Sequence, residues 1–204
     1  MNREAFAFGD EAVTVACSPH EVRAVAATLA LPGVLEVVQG YDRVVAHLVN
    51  AGHREAVLAR ARQLTIVAAP DTHATRTHVV RVIYDGPDLG EVADTLQLAR
   101  RDVAERHAAS SFVAELVGFL PGFAYLGGLD PTLALPRRPS PRPRVAAGTV
   151  AVAGRRSGIY PLHSPGGWNL LGRVVDFSPF DPSRDPPALI AVGDRVQFVI
   201  EDVP

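Results

Sequence analysis

The 204-residue chain contains no lysine, so all 20 of its basic side chains are arginine. That absence excludes chemistries that run through a lysine amine: Schiff-base and pyridoxal-phosphate catalysis, a biotin carrier, and a P-loop of the form G-x-x-x-x-G-K-[ST]. Any nucleotide or carboxylate is left to arginine forks and backbone N–H groups. Cysteine is nearly as scarce. With Cys17 alone, neither an intrachain disulfide nor a cysteine-rich zinc site can form, and a buried thiol in a reducing compartment is expected. No run approaches the ~18 apolar residues of a membrane span, and the opening Met-Asn-Arg-Glu-Ala lacks an apolar signal core. A cytoplasmic protein with no membrane association is expected. Net charge is only −2, with no basic arm or aromatic RNA-binding signature, which argues against a nucleic-acid partner. His, Asp and Glu show no metal-ligand spacing.

Hydrophobic residues make up 48% of the chain, and about 200 residues suit one large or two small domains. Proline and glycine are concentrated late: 13 of 17 prolines and 11 of 17 glycines fall from Gly118 onward. The first part alternates strands and helices. Ala12–Cys17 is β-rich, and Ser18-Pro19-His20-Glu21 opens a helix with Ser18 as N-cap and Glu21 as capping-box partner. Pro32-Gly33 ends that helix. Val34–Val38 and Arg43–Val49 read as strands joined at Gly40-Tyr41-Asp42, and a helix is predicted over 53–64. This order predicts a small α/β sandwich over residues 1–75, with Ala68–Thr77 as the linker. Residues 76–204 open with a strand at His78–Tyr84, a helix reaching Leu98, another at Arg101–Ala108, and a strand at Phe112–Phe119. Short β pieces follow at Thr149–Ala153, Gly158–Tyr160, Trp168–Val174 and Arg195–Ile200, a pattern that predicts a closed or sandwiched β-domain.

Charge is uneven in this second part. From Gly118 to Val175 there are seven arginines (Arg137, Arg138, Arg142, Arg144, Arg155, Arg156 and Arg173) and one acid, Asp130. Such a surplus suits a carboxylate, phosphate or carbamate ligand, although for the five arginines close to Pro or Gly simple loop solvation explains the sequence equally well. Three apolar-glycine motifs accompany the arginines: Gly118–Leu129, Gly158–Pro161 and Ser164–Trp168, whose backbone amides can form a concave anion site. His107 and His163 are proton-transfer candidates, with His107 preferred. Ser164 has no G-x-S-x-G elbow, which disfavours a serine hydrolase.

The runs Gly118-Phe-Leu-Pro-Gly-Phe-Ala-Tyr-Leu-Gly-Gly-Leu-Asp-Pro131, Pro136-Arg-Arg138, Gly158-Ile-Tyr-Pro161, Ser164-Pro-Gly-Gly-Trp168, Leu171-Gly-Arg173 and Gly193-Asp-Arg-Val196 closely resemble the KipI/PxpB family. That family includes the B subunit of prokaryotic ATP-dependent 5-oxoprolinase and was formerly called allophanate hydrolase subunit 1. The resemblance implies an α+β chain: an N-terminal α/β domain followed by a C-terminal cyclophilin-like β-barrel. It further implies C and A subunits as partners, ATP used by the complex, and a carboxylate substrate, 5-oxo-L-proline, opened to glutamate. Arg144, Tyr160 and Arg173 are the expected substrate or phosphate contacts, the Gly166 and Gly167 amides the expected oxyanion donors, and His107 the expected proton carrier. Phe119, Phe123, Tyr125, Gly148, Ser164 and Trp168, all within these motifs or beside them, complete the expected binding set. The family also implies two alternatives, an inhibitor of a sensor histidine kinase and an allophanate or urea-carboxylase-type component. Departures from its pattern are a shortened Tyr84-Asp-Gly-Pro-Asp-Leu89, Val145-Ala-Ala-Gly-Thr149, and Arg155-Arg156 where a neutral Gly-Gln is usual.

Overall fold

The computed structural model describes residues 4–19, 21–65 and 75–204. The chain divides into two compact units, Met1–Ala74 and Thr75–Pro204. Most of the expected linker, residues 68–74, lies outside the described residues, and Thr77 already begins a strand. Among the described residues no helix is long and apolar enough to cross a membrane.

The first unit contains β1 (Ala5–Ala7), β2 (Ala12–Ala16), α1 (Val22–Thr28), β3 (Val34–Gln39), β4 (Arg43–Leu48) and α2 (Arg54–Arg62). Its sheet is antiparallel in the order β1-β2-β4-β3. Strand alternation puts Val13, Val15, Val44 and Leu48 on one face, where they pack with Val25 and Leu29 of the α1 region and Val57 and Ala61 of α2. Cys17 is partly buried against the same core. The helix expected from Ser18 starts later. The Ser18 amide and hydroxyl both donate to Glu21 Oε2 at 2.9 Å, which closes a separate turn, and regular helix begins at Val22.

The second unit runs β5 (Thr77–Ile83), α3 (Leu89–Leu96), α4 (Arg100–Ala109), β6 (Phe112–Val117), β7 (Ala124–Gly127), β8 (Arg142–Val145), β9 (Thr149–Ala153), β10 (Arg156–Ile159), β11 (Ser164–Gly166), β12 (Asn169–Val175) and β13 (Arg195–Asp202). Seven of these strands close a barrel in the order β10-β7-β6-β13-β5-β12-β9. Within it β5 and β13, the first and last strands, are the parallel pair. Val80, Val82, Phe112, Leu126, Val150, Val152, Leu171 and Phe198 fill the core, with Val92 of α3 and Val103 of α4 packed among them. The expected α+β class, a small sandwich followed by a β-barrel, is therefore present. Strands β8 and β11 form a separate two-stranded ribbon. These two and β7 went unpredicted because Arg-Pro-Arg-Val, Ser-Pro-Gly and Ala-Tyr-Leu-Gly carry little β alternation.

Candidate functional site

A cleft of about 260 Å³ opens in the second unit where the β6–β7 loop, the β8–β11 ribbon and the entry to β12 meet. Its aromatic wall is built around Phe123, which is almost fully buried. Phe123 makes edge-on contacts with Phe119 (5.5 Å between ring centroids), Tyr125 (5.0 Å), Tyr160 (5.5 Å) and Trp168 (5.5 Å). Perpendicular packing of this kind uses the ring quadrupoles favourably and leaves the wall little freedom to collapse. The ribbon contributes Pro165 and Gly166, followed by Gly167, and the loop before β8 contributes Arg137 and Pro141. Gly166 is required here, because a Cβ would run into the Tyr160 hydroxyl.

The polar groups differ in character. Burial pushes the Tyr160 phenol up, opposed by a hydrogen bond from the Trp168 amide and by the positive charges of Arg137 and Arg142. The phenol therefore keeps its proton at neutral pH and can donate. Four of the seven arginines are neutralised by acids brought in from elsewhere in the chain. Arg138 pairs with Asp88 and Glu91, Arg142 with Asp88, Arg156 with Glu115, and Arg173 with Asp85. Among the described residues Arg137, Arg144 and Arg155 have no ion-pair partner, and of these three Arg137 lines the cleft. No group of three or more His, Cys, Asp or Glu side chains among the described residues is placed to hold a metal ion.

The expected residues thus separate. Phe119, Phe123, Tyr125, Tyr160, Gly166, Gly167 and Trp168 come together in the cleft. Arg144 lies exposed on β8 and does not line it. Arg173 is held on β12 by Asp85 at 2.9 Å. Gly148, at φ +80°, makes the turn before β9, where its amide donates to the Tyr160 carbonyl at 2.7 Å. Ser164 pairs with Val145 in the ribbon, its hydroxyl turned to the Pro165 carbonyl. His163 is exposed outside the cleft, and Arg155 and Arg156 sit at the β9–β10 hairpin. His107 is fully buried in the barrel core between Tyr84 and Ser157, each 2.7 Å away, and burial drives its pKa down to about 3. An imidazole without solvent or cleft exposure has no route to a substrate, so its proton-carrier role gives way to a structural one. The expected set lacks three lining residues, Pro141, Pro165 and the one that carries charge, Arg137. Its signal was present in the Pro136-Arg-Arg138 motif, but neighbouring Pro made loop solvation an equal explanation.

Residues 5–190 match the family described as Carboxyltransferase domain, subdomain C and D. A protein named as the B subunit of 5-oxoprolinase from Escherichia coli O157:H7 is 37% identical over 191 residues, covering 92% of this chain and 87% of that protein. One of the same name from Bacillus subtilis (strain 168) is 45% identical over 114 residues, 56% of this chain and 47% of that relative. The chain is matched to about half the length of the latter. The crystal structure of TTHA0988 superposes with a TM-score of 0.79 at 35% identity, over 99% of this chain and 41% of that one. The chain therefore belongs to the carboxyltransferase subdomain C and D family, in the KipI/PxpB group with the proteins named as B subunits of 5-oxoprolinase.

Proposed function

We propose that this chain is the B subunit of an ATP-dependent 5-oxoprolinase, a component of a hydrolase complex that opens the lactam of 5-oxo-L-proline to L-glutamate. The observation that carries this is the pairing of an aromatic box with one arginine, Arg137, that has no ion-pair partner among the described residues, in a cleft of about 260 Å³. A compact ring bearing one carboxylate suits such a space: the ring lies against Phe123, Tyr125 and Trp168, and the carboxylate meets the Arg137 guanidinium. The protonated Tyr160 hydroxyl is a donor for the lactam carbonyl, and Gly166 and Gly167 border the same space, their amides being the proposed further donors.

Hydrolysis breaks the ring C–N bond, with water supplying the hydroxyl of the new carboxylate and the proton on the new amine. ATP supplies the driving force as a phosphoryl donor. Its triphosphate is poorly matched to a lysine-free chain whose cleft offers one unpaired arginine and is smaller than the roughly 300 Å³ lower limit of drug-sized sites. ATP is therefore bound by the complex and not in this cleft. The cleft holds no complete set of acid, base and nucleophile, so a C subunit completes the site and an A subunit acts with the pair. Mixing the chain with its A and C partners should give ATP-dependent glutamate release from 5-oxoproline. Full activity of A plus C without it would overturn the assignment.

A further inference from the structure

The Gly86-Pro-Asp-Leu89 segment contributes nothing to the cleft lining, yet its Asp88 carboxylate touches the elements behind both walls. Asp88 is 3% exposed, at the start of α3. Its Oδ2 accepts the Leu170 amide at 2.7 Å, two residues beyond Trp168. Its Oδ1 accepts Arg138 Nη1 at 3.2 Å and Arg142 Nη2. Arg138 is held again by Glu91 at 2.8 Å, and its amide donates to the Gly167 carbonyl at 2.8 Å. The segment from Arg138 to Arg142 is thereby pinned at both ends. Pro141, inside it, and Arg137, immediately before it, are the two residues that this loop presents to the cleft.

The same contacts set the charge. Arg142 Nη1 is buried with no hydrogen-bond partner among the described residues, and the ion pair with Asp88 supplies the compensating anion for this guanidinium. Removing that carboxylate would add an unpaired cation close to Tyr160, whose phenol already feels Arg142.

We propose that Asp88 is a positioning residue for the cleft: it holds the Arg137–Pro141 wall in register with the Trp168 wall and cancels Arg138 and Arg142, leaving Arg137 as the single charge offered to a ligand carboxylate. The charge part of this proposal rests on the carboxylate role given to the cleft above; the wall part does not.

Trp168 is the only tryptophan, so its fluorescence reports on the cleft in the full chain. Asp88→Asn keeps an acceptor for the Leu170 amide and removes the charge. Acrylamide quenching of Trp168 should rise about twofold as the wall loosens. The preference for 5-oxoproline over the dianion glutarate should fall about tenfold as a second cation becomes available. Adding Arg142→Gln should restore that preference, which a purely structural clamp would not do. Arg142→Gln alone, a milder change on a partly exposed side chain, should still raise the quenching if Asp88→Asn does not fold. Unchanged quenching in these variants overturns the proposal, and so does raised quenching with an unchanged anion preference. If neither anion alters Trp168 fluorescence in the wild type, the carboxylate role and the charge part fall together, and quenching alone decides the wall part.

Discussion

His107 shows how far burial redirects a side chain. Ser157 Oγ donates to the Ala151 carbonyl at 3.2 Å, so it accepts from His107 Nε2–H, while His107 Nδ1 accepts the Tyr84 hydroxyl. Every member of this chain is neutral, in keeping with the Tyr84 phenol pushed up and the His107 imidazole pushed down by burial. A folded pKa of about 3 against 6.5 for the free group means that the unfolded chain binds the proton first. Stability from this group is complete above pH 6.5 and is lost as pH falls toward 3. Between pH 7 and pH 5 the loss is about 2 kcal/mol. His107→Gln, whose amide can accept from Tyr84 and donate to Ser157, should remove this part of the pH dependence. Urea midpoints of both proteins at the two pH values check it, and an identical fall in the variant would assign the loss to other groups.

At the scale of elements, the β6–β7 loop carries an unusual conformation. Phe119 has φ +72°, is 60% exposed, and meets Phe123 edge-on at the cleft. A left-handed backbone on a bulky residue costs on the order of 1 kcal/mol relative to glycine, and an exposed ring recovers little of that by burial. Phe119→Gly should therefore raise the thermal midpoint by about 3 °C while lowering 5-oxoproline turnover in the assembled complex. Phe119→Ala, which keeps the backbone cost, should lower turnover without the gain in stability. Calorimetry and the glutamate assay measure the two effects separately, and a lower midpoint for Phe119→Gly would remove the strain argument. The Gly118–Leu129 motif announced a tight turn beside a site. It pointed to its glycines for left-handed angles, which Gly122 (φ +80°) does adopt, but it did not announce that Phe119 adopts one as well.

In the whole molecule, each unit has its own apolar core, one around Val13, Val25 and Val44 and the other around Val80, Leu126 and Phe198. Residues 75–204 by themselves should thus unfold cooperatively, at the same urea concentration as in the full chain when followed by Trp168. A large shift in that midpoint would mean that the barrel depends on the first unit. Periodicity and turn residues were enough to predict β2, β3, β4, β5 and β9 and the helices near them, because those signals are local. The motifs also pointed to Phe123, Tyr160 and Trp168. Closure of the barrel through the parallel pairing of β5 with β13 was not legible, since it joins strands at opposite ends of the unit. The lysine-free composition determined by itself that anion chemistry here must use arginine forks or backbone N–H groups. Which arginine was decided only by tertiary structure, because Asp85, Asp88, Glu91 and Glu115 lie outside or ahead of the positive motifs in sequence yet pair with Arg173, Arg142, Arg138 and Arg156 in space. Salt bridges act over a few ångströms whatever the chain separation, so the cation left for the cleft, Arg137, emerges only once the chain has folded.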